Sequence, residues 1–279
     1  MRPAQPTQGM CMKIRRQMRE TARTLGRRLF PAWAAERAIR YERLVRRSRG
    51  VPEVARQVSE RLGSAVLGGP FEGMLLVPGF EERIASPVLK LLGSYEQQLH
   101  RPIEVAIETQ PKRIANVGSA DGYYAIGLAL RLPGAIVHAY DSASTAREMA
   151  RETARINGVA ERMLVHGRCR HIRAGFDLVV CDIEGAEGDL LHAEALSSTM
   201  VIVETHDHAV PGITEVLVNR FAATHDVDVL GSIEADDTAL LAWLSQKDQE
   251  IALDEMRAGA EQRWLVMRPR SQRDGQRVA

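Results

Sequence analysis

The chain has 279 residues, 45% hydrophobic and 26% charged, the composition of a water-soluble globular protein rather than of a disordered or fibrous one. No apolar run approaches the roughly 18 residues of a membrane span, and Cys11, Cys169 and Cys181 lie too far apart for a disulfide framework or a zinc site, which fits a reducing, cytoplasmic compartment. The formal net charge of +1 hides an asymmetry: residues 1–50 hold 14 Lys and Arg against 3 Glu, a net of +11, and the rest of the chain carries −10.

Residues 1–12, with Pro3, Pro6 and Gly9, are expected to be disordered, and Met10 or Met12 is a candidate start. From Lys13 to Arg49 arginines recur with few acids. Helices fit on either side of Pro31, where Trp33, Ile39, Leu44 and Val45 give a partial apolar face. Such a basic arm suits a nucleic-acid or anionic-membrane contact, or a transit peptide. Without aromatic interleaving or a recognised binding motif, the preferred reading is a solvated arm or one docked on the acidic body.

Residues 51–62 read as a helix and 63–79 as a Gly/Pro-rich connector. A helix is expected over 87–108, bent or split at Gly93 and Pro102. Glu96 could reach a pocket from it, but is assigned to the wet side of an amphipathic helix.

Residues 114–141 are the organising unit. Ile114 to Val117 form a short strand, Gly118-Ser119-Ala120-Asp121-Gly122 a tight turn, and 123–132 a mostly apolar helix stopped by Pro133-Gly134. A second strand, 136–140, ends at Asp141, about 20 residues after the glycine loop, the separation expected of a carboxylate that bonds ribose hydroxyls. Loop and acid together indicate a nucleoside-containing cofactor. The Gly-x-x-x-Gly spacing argues against a nicotinamide protein, which more often shows Gly-x-Gly-x-x-Gly.

Beyond Asp141, a helix is expected over 144–157, strands over 163–167, 176–181 and 200–203, a helix over 213–224, a strand over 227–230, a helix over 238–257 and a last strand over 263–267. Apolar strands alternating with helices predict an α/β, Rossmann-like parallel sheet covered on both faces. The chain divides into a basic arm (1–50), a helical and Gly/Pro-rich lead-in (51–110), the α/β domain (111–269) and a disordered tail (270–279).

Three predicted strands end in acids: Asp141, then Asp182 with Glu184, then Glu204 followed by His206. In an open parallel sheet these ends line the ligand crevice, so the side chains are expected to converge. A carboxylate there can orient a substrate or act as base, and a neutral histidine can accept a proton at physiological pH. Asp182, Glu204 and His206 are also suitable divalent-metal ligands, but hydrogen-bonding roles without metal are preferred. His208 faces either solvent or substrate; His138, His166, His171 and His192 show no recognisable spacing and read as structural or surface histidines.

The segments Asn116-Val117-Gly118-Ser119-Ala120-Asp121-Gly122, Tyr140-Asp141, Asn157-Gly158-Val159, Asp182-Ile183-Glu184-Gly185-Ala186-Glu187 and Val203-Glu204-Thr205-His206 resemble, in order, the motifs of the FkbM-like S-adenosylmethionine-dependent methyltransferases. The resemblance runs over residues 95–269. It implies a class I methyltransferase fold with seven strands, the last antiparallel, an S-adenosylmethionine cofactor, and O-methylation of a hydroxyl on a small molecule or glycan. It places Gly118, Ser119, Ala120 and Gly122 along the methionine and ribose part of the cofactor, Asp141 on its ribose and Asp182 toward the transferring methyl; Asn116 and Asp121 of the same loop are further cofactor-binding candidates, and Glu204 and His206, by their strand-end place, further catalytic ones. Two positions depart from the pattern: Asn116 stands where such loops commonly carry an acid, and His166-Gly167-Arg168-Cys169 lacks the acid often used to hold the adenine amine. Two other expectations stay open: a nucleic-acid methyltransferase that uses the basic arm, and a methyltransferase-like binding protein without catalysis.

Overall fold

The structure, a computed structural model, describes residues 31–233, 239–255 and 262–270. The disordered start, the first part of the arm and the disordered tail expected from the sequence lie outside these residues, except for Arg270. Among the described residues no helix is long and apolar enough to cross a membrane.

Seven strands, β1 (Arg113–Val117), β2 (Ile136–Tyr140), β3 (Met163–His166), β4 (Leu178–Cys181), β5 (Met200–Thr205), β6 (His225–Gly231) and β7 (Arg263–Pro269), form one sheet in the order β3-β2-β1-β4-β5-β7-β6. Strands β1 to β5 pair in parallel, and β7 is inserted antiparallel between β5 and β6. This is the doubly wound, Rossmann-like sheet with one reversed strand that the sequence motifs imply. The chain order reverses beside β1, which heads both βαβ directions, so the ligand crevice of such a sheet falls at its C-terminal end. Every residue of β4 and β5 is buried, as expected of strands covered on both faces.

The helices follow in chain order: α1 (Pro31–Ser48), α2 (Val51–Leu62), α3 (Phe80–Arg83), α4 (Pro87–Leu92), α5 (His100–Glu108), α6 (Tyr123–Arg131), α7 (Ser144–Ile156), α8 (Glu187–Leu190), α9 (Ile213–Phe221) and α10 (Gln246–Leu253). One apolar cluster joins the lead-in, α6, α7 and α10 to Ile114, Val180 and Ile202 on one sheet face. A second packs Phe176, Leu196, Leu217 and Phe221 against Val179, Val201 and Leu265 on the other.

The connector over 63–79 is part of the core. Its Phe71 sits edge-on to Tyr123 and Tyr124, with ring centroids 5.3 and 5.9 Å away. Gly127 of α6 admits that ring: a Cβ there would lie 2.3 Å from Phe71 Cγ.

The helix expected over 87–108 is split by Gly93, which takes φ +81° and ends α4. Pro102 does not break a helix, because it falls in the first turn of α5, where its missing N–H has no intrahelical partner to lose. Among the described residues, the helix expected over 238–257 is reduced to α10, which starts where the Ser245 side chain accepts the Asp248 N–H.

Part of the basic arm is a single helix, α1, laid against the body. Arg47 bonds Glu82 at 2.6 Å, Arg49 bonds Asp254 at 2.5 Å, and Glu36 accepts from Ser144 Oγ, Thr145 N and Thr145 Oγ1 at the start of α7. Residues 31–49 thus lie docked on the body through these contacts.

Candidate functional site

The site lies where β1, β2, β4 and β5 end side by side. The chain leaves β1 through Gly118, whose φ is +80°, and a Cβ there would lie 1.6 Å from the Asp182 carbonyl oxygen. Only glycine lets the two strand ends approach so closely. The turn is pinned to β2 by Gly118 N and Ser119 N, which both donate to the Tyr140 carbonyl at 2.8 and 2.9 Å. Ala120 takes φ +46°, an uncommon conformation for a residue with a Cβ. That conformation aims its N–H at Asp141 Oδ2, 2.9 Å away, while Ala143 N donates to Oδ1 at 2.8 Å. Burial pushes the Asp141 carboxyl above its ordinary value, and these two backbone bonds, with Arg147, oppose it. The carboxylate of Asp141 is thus fixed in orientation at the loop.

Two polar atoms of this segment lack a partner. Asn116 is buried; its Nδ2 donates to the Val180 carbonyl at 3.3 Å, and its Oδ1 has no bond. Ser119 Oγ is also buried and unbonded. An acid at position 116 would set a carboxylate oxygen against the Val180 carbonyl, so the amide suits this place better than the acid common in such loops. The unpartnered Asn116 Oδ1, the Ser119 hydroxyl, the glycine approach and the aimed Asp141 carboxylate fit a nucleoside cofactor with a polar tail.

Asp121 does not face this space freely. Both its carboxylate oxygens accept from Lys90 Nζ, at 2.8 and 3.0 Å, and Lys90 also lies over the Tyr95 and Tyr123 rings, 4.9 and 5.5 Å from their centroids. Gly122, at φ +89°, closes the turn by donating to the Ser119 carbonyl. Lys90 escaped the sequence reading, although a lysine set among Leu89, Leu91 and Leu92 is a signal of a buried cation. Glu96 corrects the expectation that put it on a wet surface: it is 2% exposed and accepts a short hydrogen bond from Tyr124. The split at Gly93 turned its side chain inward.

On the other side of Gly118, the ends of β4 and β5 bring together the acids that the sequence placed apart. His206 is at the centre. Its Nδ1 lies 2.5 Å from Glu187 Oε1, and its Nε2 faces Asp182 Oδ1 at 3.5 Å, Glu184 Oε1 at 3.8 Å and Glu204 Oε2 at 3.8 Å. Glu187 is fully buried and also accepts the Gly185 N–H at 2.9 Å, so the second glutamate of the Asp182 segment folds back to hold the histidine. Its role was not visible in the sequence, because the tight turn through Glu184 (φ +56°) and Gly185 (φ +94°) creates it.

Burial works against the His206 imidazolium, but the bond to Glu187 and the charges of Asp182 and Glu184 outweigh it and push the pKa up to about 9. The neutral, proton-accepting histidine expected from the sequence is therefore an imidazolium at neutral pH. Burial is also the largest influence on Asp182; with Glu184 it raises the carboxyl to about 6 against the opposing pull of His206 and a hydrogen bond with Glu204. Between Asp182 and His206, Asp182 has the pKa nearer to that of an effective base at neutral pH. Among the described residues, ligand atoms of Asp182, Glu184 and His206 lie within 4.8 Å of one another, so this trio, rather than one with Glu204, could hold a divalent ion. The His208 ring stands 5.6 Å from that of His206. His138 and His166 stack away from this cluster with Tyr140, as structural side chains of β2 and β3.

No family model and no curated protein matches the chain. Among solved structures, a SAM-dependent methyltransferase from Geobacter sulfurreducens in complex with S-adenosyl-L-homocysteine is 16% identical, covering 61% of this chain and 90% of that one at a TM-score of 0.42. The O-methyltransferase from Bacillus cereus in complex with SAH is 13% identical, covering 59% and 77% at 0.40. The O-methyltransferase TomG from Streptomyces achromogenes in complex with SAM is 20% identical, covering 62% and 87% at 0.38. What the present site can do rests on its own residues.

Proposed function

We propose that this chain is an S-adenosylmethionine-dependent methyltransferase of FkbM-like type that methylates a hydroxyl oxygen on a small molecule or glycan. The observation that carries the reading is the junction of Gly118 with the Asp182 carbonyl. It brings the glycine turn, beside which the Asp141 carboxylate is held, against the Asp182 strand end, and this supports reading Asp141 as the ribose ligand and Asp182 as the base.

Asp141 is poised to bond a ribose diol, and the Asn116 Oδ1 and Ser119 Oγ atoms to meet polar groups of the cofactor's tail. When bound, the sulfonium cofactor supplies an already activated methyl group, so the protein's task is alignment and exclusion of water. Asp182 takes the acceptor's hydroxyl proton. The imidazolium of His206, fixed by Glu187, holds the Asp182 carboxylate and balances the charge of Glu184 and Glu204 around it. A small or glycan acceptor is favoured over nucleic acid because Arg47 and Arg49 of the arm bond Glu82 and Asp254 of the body, which leaves them poorly placed to track phosphates.

The test is transfer of an isotopically labelled methyl from S-adenosylmethionine to a panel of hydroxylated small molecules and oligosaccharides, read by mass spectrometry. Labelled product from the wild type, reduced by about 10²- to 10⁴-fold in Asp182→Asn, supports the reading. Cofactor binding with no transfer across the panel would favour a non-catalytic binding protein instead.

A further inference from the structure

The helix of the basic arm has an outer side that the body does not use. Of the four apolar residues that the sequence groups on it, Ile39 and Val45 are half-buried, whereas Trp33 and Leu44 are 54% and 64% exposed. Tyr41 is 70% exposed. Arg37 and Arg40 are exposed as well, and the Arg37 guanidinium stands over the Trp33 ring, 5.3 Å from its centroid. Positions 33, 37, 40, 41 and 44 follow one another at the spacings that keep side chains on one side of a helix, and they make a stripe about 16 Å long. The bonds of Glu36 to the start of α7 and of Arg47 to Glu82 hold the helix in this orientation.

The chemistry of the stripe selects its partner. Trp, Tyr and Leu set among arginines, with no acid in the row, suit the headgroup layer of a bilayer, where rings and alkyl groups enter and guanidinium groups stay at the anionic surface. The 30 residues before α1 add eight Lys and Arg against one Glu, a net of +7. A face of that sign repels a second copy of itself and is drawn to an anionic surface. Nucleic acid would answer the arginines and give the two rings bases to stack on, but it offers Leu44 no apolar layer to enter. Among the described residues no helix is long and apolar enough to cross a membrane, so contact through this stripe is peripheral.

We propose that the outer face of α1 docks this protein on an anionic lipid bilayer, with Trp33, Tyr41 and Leu44 entering the headgroup layer and Arg37 and Arg40 meeting its negative charge. The arm then joins the body, held by its inner side, to the membrane on its outer side. This docking holds whether or not the strand-end crevice takes a methyl donor.

The test is flotation of the full chain with vesicles of phosphatidylcholine, alone or mixed with phosphatidylserine, beside a titration with single-stranded RNA. The wild type is expected to float only with the anionic vesicles, less so as salt rises, and its tryptophan emission to shift to the blue on binding. Trp33→Phe should float too and lose most of that shift, which assigns it to this ring rather than to Trp243 or Trp264. Replacing Trp33, Tyr41 and Leu44 together by Ser should weaken vesicle binding by about 100-fold. Arg37→Gln with Arg40→Gln should weaken it by about 10- to 30-fold. All five side chains are exposed, so neither set should lower the Tm. Vesicle binding that survives the triple Ser substitution, or that comes without an emission shift, overturns the proposal by making the contact one of charge alone. Binding to RNA but not to vesicles, or to neither at physiological salt, overturns it as well.

Discussion

Glu187 Oε1 lies 2.5 Å from His206 Nδ1, and this contact fixes the protonation of the whole acid cluster. A histidine whose Nδ1 faces a fully buried carboxylate and whose Nε2 faces further acids keeps its proton at neutral pH. That proton makes Asp182, not His206, the group free to accept another.

Replacing Glu187 by Gln keeps the shape and removes the charge. The His206 pKa is expected to fall from about 9 toward its ordinary 6.5, as followed by NMR titration of the ring protons. The folded pKa is raised above the unfolded one, so the stabilisation from this histidine is complete below about pH 6.5 and is lost as pH rises through about 9. Melting temperatures of the wild type should therefore decline across that window, and those of Glu187→Gln should decline less.

Catalysis should follow the same two groups. The rate at low substrate is expected to rise with ionisation of Asp182 near pH 6 and to fall as His206 deprotonates near pH 9. In Asp182→Asn the acidic limb should vanish along with most of the rate. An acidic limb that persists in that variant would assign the base elsewhere.

Gly118→Ala is expected to be among the most damaging single substitutions. Its Cβ would fall 1.6 Å from the Asp182 carbonyl oxygen at a φ of +80°. Strain and displacement together should cost about 3 kcal/mol or more, read as a drop in Tm with lost ligand binding. Gly158→Ala is the control: φ is also positive, +69°, but nothing lies within 4 Å. It should cost only about 1–2 kcal/mol.

Chelation should leave activity unchanged near neutral pH. Asp182, Glu184 and His206 have a spacing that a divalent ion could use, yet a metal needs the neutral imidazole. With its proton in place, His206 already supplies positive charge among these acids. Loss of activity with EDTA, restored by magnesium or manganese, would replace that assignment.

Much of this architecture was legible in the chain itself. The second strand and the helix of residues 51–62 fall where periodicity puts them, and Asp182 and Glu204 meet around His206, while Asp141 stays with the glycine loop. What stayed hidden depends on backbone reversal. A positive φ at Gly93 and another at Glu96 turn Glu96 inward, and the turn at Glu184 and Gly185 brings Glu187 under His206. Neither reversal alters the hydrophobic pattern that the sequence displays. The protonation of His206 was equally hidden, since it is set by acids that reach it from two different strand ends.

In the proposed reading, the Gly118 turn and Asp141 hold a methyl donor. Calorimetric titration of the full chain with S-adenosylhomocysteine tests it most directly. The wild type should bind one equivalent, and Asp141→Ala should weaken binding by about 10- to 100-fold, as loss of charged hydrogen bonds to the ribose predicts. Folded wild-type protein that gives no binding heat at any temperature tried, or an Asp141→Ala variant with unaltered affinity, would contradict it.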